Sequence, residues 1–141
     1  MMALQAGKLR VGERRELQLV DDLTRTQIVQ YAGASGDYNP LHTDEVFATK
    51  VAGYPTVFAH GMLTMGMTGR VLTDWVGDGR LLNYGVRFVK QVWPGDTLTA
   101  VAEVTALRQT DGVDVADFSI TTSNQHGAEV LVGTASARLD P

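Results

Sequence analysis

With 141 residues, 44% of them hydrophobic and 20% charged, the chain has the size and composition of one globular domain, assigned here to residues 1–141, able to bury its own core. Its 12 Lys and Arg against 16 Asp and Glu leave a formal net charge of -4, and no basic run could neutralise a row of phosphates, so nucleic acid is not expected as a partner. The absence of cysteine excludes disulfides, thiolate catalysis and sulfur-ligated metal, and no segment approaches the roughly 20 apolar residues that cross a bilayer.

The opening stretch, residues 1–7, lacks a long apolar core behind a basic start and does not read as a secretory signal; a cytoplasmic protein is expected. A strand is predicted around Glu13 to Val20. Asp22 or Thr24 then caps a short helix from about Arg25 to Gly33, with Ile28, Val29 and Ala32 at helical spacing and Gly33 and Gly36 bracketing its end. From Ser35 to Leu41 the residues are turn formers: Pro40 lacks an amide hydrogen and pushes Asn39 toward extended geometry, so a loop runs here. Thr43, followed by Asp44 and Glu45, starts a second short helix to about Lys50, and Gly53, Tyr54 and Pro55 return the chain to the core.

The segment from His60 to about Val76 is apolar over most of its circumference and predicts a central buried helix, roughly 25 Å long at 1.5 Å per residue. Gly61, Gly66 and Gly69 each weaken it by about 1 kcal/mol against Ala, a loss that close approach of a sheet or ligand would offset. Beyond Gly77 to Gly79 the period becomes alternating. Four strands follow: one carrying Tyr84, Val86 and Phe88, then Leu98 to Leu107, Val113 to Thr122 and Glu129 to Leu139, with a hairpin turn at Asp111 and Gly112. This order predicts an α+β fold, an antiparallel sheet with helix on one face.

Asp37 and His42 flank Asn39 and Pro40. On a continuous helix, residues five apart diverge by about 140°, whereas a proline-bent loop can bring a carboxylate and an imidazole into one small volume. There they can hold a water and divide acid and base work near neutral pH. The plainer reading leaves Asp37 as a turn cap and His42 as a half-buried neighbour of the next helix. Close by in sequence, Gly61 opens the long helix. Its free amide is a ready site for an anion or a developing enolate oxygen, or the glycine serves only the tight entry into the helix.

The run YAGASGDYNPLH over residues 31–42, followed by Ala48, resembles the hydratase-2 motif of MaoC-like (R)-specific enoyl hydratases, and AHGML over residues 59–63 is similar to that family's helix entry. The likeness extends over nearly the whole chain. TMG at residues 64–66 and DWVGD at residues 74–78 look closest to the small (R)-3-hydroxyacyl carrier-protein dehydratases of long-chain fatty acid elongation. The resemblance implies a single hot-dog domain, in which the sheet wraps the long helix and two subunits pair sheet edge to sheet edge. It implies a hydro-lyase that adds water to 2-enoyl thioesters of coenzyme A or acyl carrier protein to give (R)-3-hydroxyacyl products, or runs in reverse. Asp37 and His42 would activate the water, Gly61 would bind the thioester carbonyl, and Asn39 would orient the loop. No cofactor is implied beyond the carrier on the substrate. Some relatives carry a serine on the long helix where Gly69 stands here, so carboxylate placement would fall to Tyr38, Thr64 or Ser35, or to a partner chain. A homodimer is expected, or a heterodimer in which this chain holds the catalytic pair.

Other residues carry less. The methionines of the long helix suit core packing or an adaptable acyl tunnel. Arg80, Arg87 and Lys90 could meet the phosphates of coenzyme A or a phosphopantetheine arm, or lie on solvated surface. His126 reads as an exposed turn residue. No metal-ligand spacing and no phosphate loop occur in the sequence, so no metal is expected. A thioesterase would need an acid poised on the long helix, which offers only Asp74, and a non-catalytic acyl-binding chain would not need Asp37 and His42 together.

Overall fold

The computed structural model describes residues 4–141, so the first three residues of the opening stretch lie outside it. Five strands, β1 Arg14–Val20, β2 Leu81–Phe88, β3 Leu98–Thr110, β4 Val113–Ser123 and β5 Glu129–Arg138, form one antiparallel sheet in the order β1-β3-β4-β5-β2. Two helices accompany them, α1 Arg25–Ser35 and α2 Gly61–Val76, together with a π-helical turn at Phe47–Val51. No described helix is long and apolar enough to cross a membrane.

Each element has a local cause. Thr24 rather than Asp22 caps α1: its hydroxyl accepts from the Gln27 amide at 3.0 Å, while the Gln27 side chain accepts from the Thr24 amide at 2.9 Å. Gly33 lies inside that helix, and Gly36, with φ +75°, supplies the left-handed residue that ends it. Helical geometry begins at Glu45, ahead of the π-helical turn and two residues later than predicted, because Asp44 and not Thr43 receives the Phe47 amide, at 3.1 Å. Asp111 and Gly112 both have positive φ, 52° and 78°, the pair of angles that a two-residue hairpin needs between right-twisted strands.

The inward face of β3 alternates strictly through Leu98, Ala100, Ala102 and Val104. With Ala116, Ala135 and Ala137 it makes a floor of small side chains, into which α2 presses Leu72, Trp75 and Val76. One buried stripe of α2, Thr64, Thr68, Val71, Leu72 and Trp75, faces the core. The methionines do not form it: Met65 and Met67 are partly buried at its flanks, and Met62 is exposed. Of the three helix glycines, Gly61 and Gly69 meet close neighbours, the rings of Phe88 and Tyr84. Gly66 has nothing within 4 Å of an added Cβ among the described residues, so the sheet does not approach it closely.

Candidate active site

The loop between α1 and the π-helical turn is fixed by its own short-range bonds. The Asp37 amide donates to Ser35 Oγ at 3.1 Å, the Asn39 amide to Asp37 Oδ1 at 3.2 Å and the Leu41 amide to Asn39 Oδ1 at 3.0 Å. Pro40 cannot donate, and its carbonyl accepts from Asp44 at 2.9 Å, which turns the chain so that His42 faces inward. Arg25, Glu45 and Thr56 tie the two sides of this region together, with Glu45 accepting from Arg25 at 2.6 Å and from Thr56 at 2.9 Å. Those two bonds hold the Glu45 carboxyl below the usual carboxylate range.

The exposed Asp37 and the buried His42 and His60 meet, each offering a ligand-capable atom within 4.8 Å of the others. That spacing leaves room for one water hydrogen-bonded to both a carboxylate and an imidazole. His42 Nδ1 lies 2.6 Å from the Phe58 carbonyl, which can only accept. The proton therefore sits on Nδ1 of the neutral ring, and Nε2 keeps its lone pair. Burial is the main cause that lowers the His42 pKa below 6.5; the Phe58 carbonyl opposes it, the neighbouring His60 assists it and Asp37 opposes it. His42 therefore stays an uncharged acceptor near neutral pH.

His60 and Phe58 are the participants that sequence reasoning did not place. The His60 ring stacks on His42 with centroids 3.8 Å apart, and its Nε2 donates to the Asp37 carbonyl at 3.0 Å. One ring thus braces both members of the pair. Phe58 also packs edge-on against His42 at 5.3 Å. The nearest sequence sign is a histidine directly before the first glycine of an apolar helix; what it stacks on depends on where the loop crosses.

Gly61 and Thr64 on α2 line a cavity of about 330 Å³ with Phe58, Phe88, Val130 and Lys90. Lys90 and Gln91, both lining and exposed, mark its open side. Asp37 and His42 are not among its lining residues; they stand next to it, joined through Phe58 and through the His60–Gly61 peptide. The Gly61 amide, first in α2, has no backbone partner among the described residues. The space a Cβ would take at Gly61 is filled by the Phe88 ring, 2.9 Å away, so glycine serves this packing as well as the amide.

The supporting residues divide. Ser35 and Asn39 accept the amides of Asp37 and Leu41 within the loop, whereas Tyr38 is 69% exposed and has no hydrogen bond among the described residues. At Gly69 the neighbour is Tyr84, whose hydroxyl donates to the Met65 carbonyl at 2.7 Å and whose pKa burial raises to about 12. Arg80 is paired with Asp140, which takes it out of the set of free cations; Arg87 has no ion pair among the described residues, and Lys90 lines the cavity. Asp74 is exposed and thirteen residues along α2 from Gly61, about 20 Å at 1.5 Å per residue. His126 is an exposed turn residue.

A sheet folded over one long helix is a hot-dog fold, and here a carboxylate and two histidines gather at that helix's amino end. Residues 7–125 match the MaoC like domain family, and the chain belongs to it. It is 32% identical over 138 residues to the (R)-specific enoyl-CoA hydratase of Aeromonas caviae, covering 96% of this chain and 99% of that protein. It is 41% identical over 85 residues to 3-hydroxyacyl-thioester dehydratase Y of Mycobacterium tuberculosis, covering 58% of this chain but 29% of that protein. Several curated relatives are longer in this way, and the chain spans about a third of their length. The unliganded R-hydratase PhaJ1 of Pseudomonas aeruginosa superimposes with a TM-score of 0.83 at 25% identity, over 99% of this chain and 88% of that one.

Proposed function

We propose that the chain is a hydro-lyase that reversibly adds water across the double bond of 2-enoyl thioesters, carried on coenzyme A or an acyl carrier protein, to give (R)-3-hydroxyacyl thioesters. The observation that carries this reading is the approach of Asp37 and His42 to within 4.8 Å beside the free amide of Gly61. In the hydration direction, Asp37 and His42 Nε2 hold one water. Its oxygen bonds to C3 while its proton passes to the pair, and the C2=C3 electrons shift onto the thioester oxygen, where the Gly61 N–H faces the developing charge. The proton is then returned to C2, so that water has been added with no net change in charge. Dehydration is the reverse path.

The (R) product, like the name of the Aeromonas relative, fits a water and a proton donor on one face of the substrate. Lys90, on the exposed side of the cavity, suits the phosphates of the carrier. The reading takes residues 1–141 as one such domain working in the cytoplasm without a separate cofactor or metal. It takes the functional unit as a dimer: β2 is an outer strand, and its exposed Leu82 suits pairing with a second hot-dog chain, either a copy or a relative that shapes the acyl site.

The direct test mixes the purified protein with crotonyl-CoA and longer 2-enoyl-CoA esters and follows loss of the conjugated absorbance, with chiral analysis of the product. No loss with any ester, or an (S) product, would count against the reading. A pH profile adds a separate check. Falling pH protonates His42 and removes the base, and its pKa lies below the ordinary 6.5. The acid limb of kcat/KM for hydration is therefore expected to have its midpoint under 6.5, and a midpoint above that value would disqualify His42 as the base.

A further inference from the structure

We propose that the Thr64 hydroxyl is a second hydrogen-bond donor to the thioester carbonyl oxygen, acting beside the Gly61 amide. The inference rests on the hydro-lyase reading and names a further group that touches the substrate. Thr64 and Gly61 both line the cavity. Three residues apart, they share one face of α2, and helical side chains lean toward the amino end, which carries the Thr64 hydroxyl back over the turn that holds the Gly61 N–H.

Thr64 is only 2% exposed, yet its Oγ1 is a buried polar atom with no hydrogen-bond partner among the described residues. A helical threonine commonly gives its proton to the carbonyl four residues earlier. For Thr64 that carbonyl belongs to His60, which instead accepts the amides of Leu63 at 3.1 Å and Thr64 at 3.4 Å. The other two threonines of α2 are satisfied: Thr68 shares a hydrogen bond with Thr122 at 2.7 Å, and Thr73 donates to the Gly69 carbonyl at 3.4 Å. A buried hydroxyl without an acceptor destabilises the fold, and such groups concentrate where a ligand supplies what is missing. An acyl thioester presents that acceptor.

The Phe88 ring lies against Gly61 and is 46% exposed, so it can turn outward to let a carbonyl reach both donors. As the water oxygen bonds to C3, the carbonyl oxygen takes up the displaced electron pair and becomes an enolate oxygen. Both donors then face a full negative charge, and neither gives up its proton. Protonation at C2 restores the neutral thioester.

Thr64→Val preserves shape and removes the hydroxyl. With crotonyl-CoA and 2-octenoyl-CoA it is expected to lose about a hundred-fold in kcat, the usual loss for one such donor. Its Tm should not fall, since an unsatisfied hydroxyl is exchanged for a methyl group. Thr64→Ser should recover most of the rate, and Thr64→Ala is judged by the same readouts if valine does not fit. Acetoacetyl-CoA gives a signal that needs no turnover: the wild-type protein should raise the enolate fraction of the bound ester, seen by its near-ultraviolet band, and Thr64→Val should lose that gain. Wild-type kcat and an undiminished enolate band in the valine or alanine variant would overturn the inference and leave the hydro-lyase reading standing. A wild-type protein that hydrates neither ester and produces no enolate band would overturn that reading, and the inference with it.

Discussion

Asp37→Asn and His42→Ala are each expected to lower the rate of 2-enoyl-CoA hydration by roughly a thousand- to ten-thousand-fold, the upper part of the range for a positioned acid or base. The two substitutions act on different atoms of one device. Asparagine keeps the shape of Asp37, so its Oδ1 can still accept the Asn39 amide and the loop survives, but the negative charge that orients the water is gone. Alanine at position 42 removes the lone pair on Nε2, and with it the Phe58 contact and the ring on which His60 stacks. His42→Gln offers a partial control, because it retains a side chain able to reach Phe58 without a base of useful pKa. Since the residues act on the same water, the double variant should be scarcely slower than the worse single one. Rates measured by the fall in conjugated absorbance, alongside circular dichroism to verify folding, decide the matter. Both single variants within ten-fold of wild type would remove Asp37 and His42 from the reaction.

The sequence was informative about this pair because the information was local. Turn formers from Ser35 to Leu41 and the missing amide hydrogen of Pro40 dictate a bend whatever lies around it, and the hydrogen bonds that form the bend are all between near neighbours. Strand periods were legible for the same reason, as the strict alternation of β3 illustrates. Features set by non-local packing were not legible. His60 reads as a helix entry until the loop brings His42 within stacking distance. The methionines suit core packing, and Met65 and Met67 do pack against the core from the flanks of α2, but the side that meets the sheet carries Thr68, whose hydroxyl bonds Thr122 of β4. Tyr38 is a candidate for carboxylate placement by its position beside Asp37, while its side chain lies exposed to solvent.

Glycines pose the same problem, and two of them should answer to alanine with opposite signs. Gly133 pairs across β5 with Val86 of β2 and with Ile120 of β4. A Cβ there would stand 2.3 Å from the Gly85 carbonyl oxygen and 2.9 Å from Val86 Cγ1. The first of these is backbone in a paired strand and cannot swing aside as a side chain does. Relief comes only by prising β2 from β5, and in the monomer β2 is an edge strand with no second neighbour in the sheet. Gly133→Ala is therefore expected to destabilise the protein by about 3 kcal/mol, in the range for overpacking a filled site. At this chain length that corresponds to roughly 10 °C in Tm. Because β2 carries Phe88 and Tyr84, which pack on Gly61 and Gly69, hydration should weaken at temperatures where the sheet is still largely folded. Gly66, exposed on α2 with nothing within 4 Å of an added Cβ, is the counterpart: alanine there should stabilise by about 0.5–1 kcal/mol through helix propensity alone. Thermal unfolding of the two variants side by side tests both signs, and a Gly133→Ala protein melting within a degree or two of wild type would mean that the β2–β5 pairing is looser than the register requires.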